Sequence, residues 1–206
     1  MFAYRILPFQ ISGGPSWLDS LHYDIVAKPE QRPNRSETQE MLQSLLAERF
    51  QLEVHRETKE LPIYALVLAR KDGKLGPGLT ESKDCPAVDA STPARPCGNA
   101  AMGPNSFTAS ASPVGGLVSM LSRMMGRSVV DQTGLTQKFD IKMNFTLDQD
   151  QLAMMTPPGF TPPTPVEPSG PSIFTALREQ LGLKLESQKG PVEIFVIDRA
   201  EKPSEN

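Results

Sequence analysis

An internal repeat limits the folds that this chain can adopt. Tyr23-Asp24-Ile25 recurs as Phe139-Asp140-Ile141, and each copy follows a segment that carries a glycine turn. That segment contains Gly13-Gly14-Pro15-Ser16-Trp17 in the first copy and Asp131-Gln132-Thr133-Gly134 in the second. Short apolar runs interrupted by glycine are typical of a strand, a turn and a second strand. We therefore expect a duplicated module in which these residues have structural roles in turns and strands.

In the first copy the repeat continues as an amphipathic helix and two strands. We expect Ser36 to cap the helix, with Gln39 as its capping-box partner. The apolar stripe of this helix consists of Met41, Leu42, Leu45, Leu46 and Phe50. Strands are expected over 51–56 and 62–69, with a polar turn between them.

In the second copy Ser172 is the expected cap and Gly182 the expected end of the corresponding helix. Strands over 183–186 and 191–198 follow. This copy also begins with a helix that Ser112-Pro113 starts and Gly126 ends. The apolar face of that helix carries Val114, Leu117, Met120, Leu121 and Met124.

The first copy has only the last turn of a matching first helix, over 1–4. We therefore expect that Met1 is an internal start and that the native chain begins further upstream. The predicted fold class is α+β, built from two related α-β-β-α-β-β units that pack together because neither has enough apolar surface alone. The expected parts are a first unit over 1–70, a connecting excursion over 71–111, a second unit over 112–198 with a Pro-rich insertion over 156–171, and a tail over 199–206.

Composition excludes several classes of function. The net charge is −3 and both signs are mixed along the chain, so no basic surface is available for nucleic acid. The apolar fraction of 38 % supports a modest core, and we expect no transmembrane segment. Arg5 and Pro8 interrupt the N-terminal apolar run, so we expect no secretory signal at this N-terminus.

Cys85 and Cys97 suggest an oxidising compartment. They lie 12 positions apart in a stretch rich in Pro, Ser, Thr and Ala, where a thiol has no packing role. We expect a disulfide that closes this loop and stabilises by about 3 kcal/mol on the chain-entropy model. The alternative is a pair of free thiols in a cytosolic protein. Two cysteines without neighbouring Cys or His do not complete a zinc site.

No catalytic set emerges from the remaining polar residues. The two histidines, His22 and His55, are expected at strand edges or on the surface. Asp131 is expected to fix a turn, and Trp17 to pack against the core rather than stack on a ligand. We expect no cofactor and no bound metal.

Five motifs in order resemble the soil-associated protein family. They are Gln10–Trp17, Tyr23–Lys28, Met41–Phe50 with Val54–Tyr64, Val130–Leu135, and Pro191–Asp198 with the ending Glu201–Asn206. That family is a domain of unknown function abundant in acidobacteria. The resemblance implies an exported protein with a signal peptide, sometimes attached to a membrane-bound zinc peptidase of the antibiotic-sensor type. This chain lacks a His-Glu-x-x-His motif, so peptidase activity is not carried over.

The predicted function is a non-enzymatic, extracytoplasmic module, periplasmic or secreted, that binds a protein or peptide of the cell envelope. Strand edges and Pro-rich segments offer binding surface. For the Pro-rich insertion itself, a semi-rigid exposed loop is the favoured interpretation and a docking segment for an aromatic-lined groove is the alternative. One alternative is a sensory or regulatory domain that works with a membrane-bound peptidase. A second is a hydrolase with an acid-based site, for which Asp131, Asp140 and a histidine would have to meet.

Overall fold

The computed structural model describes residues 2–29, 31–82, 98–103, 105–156 and 170–203, apart from the side chains of Met154 and Met155. The fold is α+β, as predicted. Its strands are β1 (Ile11–Gly13), β2 (Glu53–Leu68), β3 (Leu79–Glu81), β4 (Ala100–Gly103), β5 (Ser106–Pro113), β6 (Val129–Asp131), β7 (Lys138–Asn144) and β8 (Leu183–Arg199). Its helices are α1 (Arg35–Phe50), α2 (Val114–Met125), α3 (Gln149–Met155) and α4 (Ile173–Ala176), which continues as a π turn (Leu177–Leu181). Within the described ranges, no helix has the length and apolar character needed to cross a membrane.

The strands form two four-stranded sheets, ordered β1-β8-β2-β6 and β3-β7-β5-β4. The chain divides into two compact units, and each is described by itself. The first unit is Met1–Leu61 with Gly190–Asn206, and the second unit is Pro62–Lys189. The division passes through β2 and β8, so it differs from the boundaries expected at 70, 112 and 198.

The second unit has a large core. The α2 face expected to be apolar is buried, and the helix ends at Gly126, whose φ of 57° is left-handed. In β7, Phe139, Ile141 and Met143 point into the core while the residues between them are exposed. The predictions of α2 and of this strand are confirmed, because both carry a full periodic pattern of large apolar side chains.

Two strands and most of a third lie in the stretch, 71–111, that was expected to be a connecting excursion. They are β3, β4 and β5, and β5 is an inner strand that pairs antiparallel with β7, with Phe107 opposite Met143. The inward positions of β5 are Phe107, Ala109 and Ala111, separated by Ser and Thr. This alternation is carried by small residues, so composition indicated a loop where the structure has a strand.

The repeated units are not confirmed. Residues 21–29 form no regular structure, although Phe139–Ile141, which repeats Tyr23–Ile25, lies in β7. The segments expected as separate strand pairs are the continuous strands β2 and β8. Furthermore, β6 and β7 belong to different sheets and do not form the expected hairpin.

One arrangement does occur twice. In the first unit α1 ends before Gln51, whose φ is 47°, and leads into β2; in the second, the π turn ends before Gly182, whose φ is 72°, and leads into β8. Each long strand also accepts a short parallel strand. Ile11 of β1 pairs with Phe195, and Val129 of β6 pairs with Tyr64.

The cap of α1 differs from the expected one. Asn34, rather than Ser36, is the N-cap, and its Oδ1 accepts hydrogen bonds from the backbone N–H groups of Ser36 and Glu37. The Glu37 carboxylate accepts in return from the Asn34 N–H at 2.7 Å. The helix therefore starts two residues earlier than expected. Asparagine caps the free N–H groups of a first helical turn as well as serine does.

Candidate functional site: the exposed apolar residues of the first unit

Burial is distributed unequally between the two units. Of the 27 buried apolar residues in the described part of the chain, four lie in the first unit: Ala3, Val192, Ile194 and Phe195. Of the ten exposed large apolar residues, seven lie in the first unit: Phe2, Leu18, Leu21, Tyr23, Ile25, Val26 and Met41. The first unit thus leaves in water much of the apolar surface with which it could build a core.

The turn predicted from Gly13-Gly14 directs the chain away from β1. Their φ angles are 78° and 86°, a conformation that side chains with a Cβ avoid. A Cβ on Gly13 would also lie 3.0 Å from the backbone oxygen of Ile197 in β8. Pro15 then precedes a short 3₁₀ turn over Ser16–Asp19. The two glycines therefore permit both the turn and the close approach of β1 to β8.

The exposed segment, which we define as residues 21–28, follows this turn. All eight of its residues are exposed, and Val26 keeps 98 % of its surface in contact with solvent. The N–H of Leu21 donates to the Trp17 oxygen at 2.9 Å. The backbone groups of the next residues, 22–28, make no hydrogen bond within the described chain. Tyr23 and Asp24, expected in a strand, lie in this segment without a strand partner.

The aromatic cluster holds the exposed segment to α1. It consists of Trp17, Tyr23 and Phe50, and Tyr23 lies between the other two rings. The ring centroids of Trp17 and Tyr23 are 6.1 Å apart, and those of Tyr23 and Phe50 are 5.4 Å apart, both edge to face. Each such pair contributes about 0.5–1.5 kcal/mol beyond area burial. Trp17 is half-buried, so it packs against an aromatic neighbour while part of its surface faces solvent.

The apolar stripe of α1 has no buried member. Met41 is 48 % exposed, and the one buried residue of this helix is Gln39, at 3 %. The Gln39 Oε1 accepts from Arg5 Nε at 2.6 Å, and its Nε2 donates to the Phe2 oxygen at 3.1 Å. These hydrogen bonds join α1 to the N-terminal turn, while the stripe itself stays half-buried and, at Met41, exposed.

Paired charges occupy the first-unit parts of β2 and β8. His55 Nδ1 lies 2.7 Å from an Asp198 carboxylate oxygen, and Arg56 lies 3.2 Å from Glu193. The Arg56 guanidinium also lies 5.0 Å from the ring centroid of Phe195. These are cross-strand pairs of the kind that stabilise a sheet. His22 is exposed and has no hydrogen bond or ion pair within the described residues.

Asp131 and Asp140, the two carboxylates considered for acid chemistry, accept hydrogen bonds from backbone N–H groups of the second unit. Asp131 Oδ1 accepts from the backbone N–H of Thr133 at 2.9 Å and from its hydroxyl at 2.7 Å, which is an Asx turn. Gly134 follows with a φ of 73°. Asp140 Oδ1 accepts from the N–H of Ala111 at 2.8 Å. Each carboxylate thus has a local structural role.

Two sequence predictions lie outside the described residues. Cys85 and Cys97 fall within 83–97, and most of the Pro-rich insertion falls within 157–169. In the ranges that the structure does describe, no group of three His, Cys, Asp or Glu side chains is placed to hold a metal ion.

Sequence reasoning missed the exposure of residues 21–28 and the incomplete burial of the α1 stripe. The apolar periodicity of both was visible, but periodicity does not say whether a packing partner exists. The sequence carries no direct signal for either, because the surface that would cover a helix stripe lies elsewhere in the chain and is set by the tertiary fold.

Searches of the curated proteins and of the solved structures give no match. The model of the family described as "Protein of unknown function (DUF3738)" matches residues 1–200. That range includes the exposed segment, the aromatic cluster and the complete core of the second unit. The chain belongs to this family of domains of unknown function.

Proposed function

We propose that the chain is a non-enzymatic, extracytoplasmic module that binds a protein or peptide through the first unit. The single observation that carries the proposal is the run of exposed apolar side chains from Leu18 to Val26. Soluble domains rarely leave so many large apolar residues in water within one short stretch unless a partner covers them.

The energy available from this run fits a binding role. Complete burial of one Val, Leu, Ile or Phe side chain stabilises by about 1.5–3 kcal/mol. Leu18, Leu21, Tyr23 and Ile25 are between 37 % and 45 % exposed. Covering them together with Val26 offers several kilocalories per mole before ordering costs are subtracted. The aromatic cluster adds to this, because it fixes Tyr23 before a partner arrives and so reduces the entropy that binding must overcome.

Selection from a phage-displayed library of random peptides tests the proposal. Recovered peptides are then titrated by fluorescence anisotropy against the parent protein and against Ile25→Lys. We expect peptides that bind the parent and lose at least about tenfold in affinity with Ile25→Lys, because a charge replaces an apolar contact.

The matched control is Met102→Lys, because Met102 is an apolar residue of β4 in the second unit whose exposure, 38 %, is close to the 45 % of Ile25. It should leave the affinity unchanged. Binding that is lost equally in both variants would locate the site elsewhere, and a library that yields no binder would remove the support for a peptide-binding function.

The extracytoplasmic location rests on Cys85 and Cys97 and on the export that the family resemblance implies. The location is tested on protein freshly prepared from native cells. The protein is denatured, and its thiols are alkylated with and without prior treatment with reductant. We expect Cys85 and Cys97 to react only after reduction. Two free thiols without reductant would contradict this part of the proposal.

A further inference from the structure

We propose that residues 24–28 pair as an antiparallel β-strand with the same residues of a second copy of this chain, with Val26 on the two-fold axis. This inference rests on the proposed function, because it names the partner for the exposed segment. Its support comes from the free backbone, the strand-forming side chains and the positions of two charges.

The backbone of the exposed segment is available for pairing. Within the described chain, the N–H and C=O groups of residues 22–28 make no hydrogen bond, and none of these residues has a positive φ. Ile25 and Val26, in the middle of residues 24–28, are residues that favour strands. An unpaired strand-forming segment of this kind is a template for addition of another chain.

The charges select one register. Pairing about Val26 places Asp24 opposite Lys28 of the second copy and Ile25 opposite Ala27. Because the pair is symmetric, the Asp24–Lys28 contact forms twice. Neither side chain makes an ion pair or hydrogen bond within the described chain, so both are free to form it.

Other registers lack this complementarity. Antiparallel pairing about Asp24 places that carboxylate opposite itself, and pairing about Ile25 places Asp24 opposite Val26. Parallel in-register pairing sets Asp24 against Asp24 and Lys28 against Lys28, and like charges directly opposite destabilise a sheet. Pairing about Val26 is therefore the favoured symmetric arrangement.

Side-chain alternation supports the same register. Residues 24, 26 and 28 share one face of an extended strand. Pairing then brings the two Val26 side chains together at the centre, with an ion pair on either side. The most exposed large apolar residue of the described chain thus acquires an apolar neighbour.

Charge-reversal variants test the proposal by sedimentation velocity at about 100 µM protein. The parent chain should be a dimer. Asp24→Lys and Lys28→Asp should each weaken self-association at least about tenfold, because each sets like charges opposite each other twice. A one-to-one mixture of these two variants should form heterodimers with affinity close to that of the parent, since every contact again joins opposite charges.

The control is Asp19→Lys, which makes the same charge change at an exposed residue of the preceding turn. It should leave the dimer unchanged, and circular dichroism checks that each variant is folded. A monomeric parent, or a mixture that stays monomeric, would overturn the strand pairing. These results concern self-association only. The proposed function is tested separately, by the peptide selection.

Discussion

Replacing Asp140 by alanine should destabilise the second unit through loss of a single hydrogen bond. In β5, Ser110 and Ala111 together face Asp140 of β7, because the register shifts between the pairs Ala109–Ile141 and Ser112–Phe139. Two residues opposite one form a β-bulge. Ala111 lies in the left-handed region at a φ of 45°, and its N–H donates to the Asp140 carboxylate at 2.8 Å.

The expected cost follows from burial. Ala111 is 5 % exposed, so its N–H would lose its partner in a place that water hardly reaches. A buried donor without a partner costs about 1–3 kcal/mol. A loss of about 2 kcal/mol corresponds to a fall of about 4–8 °C in the melting temperature for a chain of this size. Asp140→Asn keeps an acceptor oxygen and should cost less than the alanine variant.

Strain at the same bulge predicts a change of opposite sign. A non-glycine residue in a sparsely populated backbone region costs about 1 kcal/mol or more. Ala111→Gly should therefore stabilise the protein in urea denaturation, while Asp140→Ala destabilises it. If both variants denature at the urea concentration of the parent, the carboxylate does not hold the bulge and the reasoning fails.

Three further predictions concern packing, side-chain hydrogen bonding and pH. Gly76→Ala should cost about 2–3 kcal/mol, because its Cβ would clash with the Gln180 backbone oxygen. Gly115→Ala, which has open space around it, should instead stabilise α2; urea denaturation of both variants decides whether the close approach at Gly76 matters. Gln180→Ala should cost about 1–2 kcal/mol, since its amide both donates to the Asn144 oxygen and accepts from the Asn144 N–H; a melting temperature equal to that of the parent would contradict this. Burial raises the pKa of Tyr4 above 10.0, so the stability that the neutral phenol provides is complete below that pH and is lost as pH rises through the raised pKa. Melting curves should show that Tyr4→Phe loses less stability above pH 10 than the parent does. An identical fall of melting temperature with pH in both proteins would refute this.

Much of the second unit could be predicted from sequence, and particular residues show why. Large apolar side chains at helical spacing predicted α2, and side chains of the same kind at alternating spacing predicted β7. Gly126 indicated where α2 ends. The strand β5 escaped prediction because Ala109 and Ala111 fill its inward positions, and alanine alternating with serine carries little hydrophobic contrast.

The first unit was harder to predict for a different reason. Tyr23-Asp24-Ile25 has the composition of a strand, and the repeat supported that interpretation. Composition describes what a segment prefers, whereas a strand also needs a neighbour with free backbone groups. The same limit applies to α1, whose apolar stripe was visible in the sequence while its incomplete burial was not.

The four buried apolar residues of the first unit have a consequence for its local opening. Regions with few buried contacts unfold locally at low free energy, so backbone amides there exchange their hydrogens readily. A molecule that covers Leu21 and Val26 adds its binding free energy to that opening reaction. Occupancy of this surface should therefore slow amide exchange across the first unit, including amides that the bound molecule never touches.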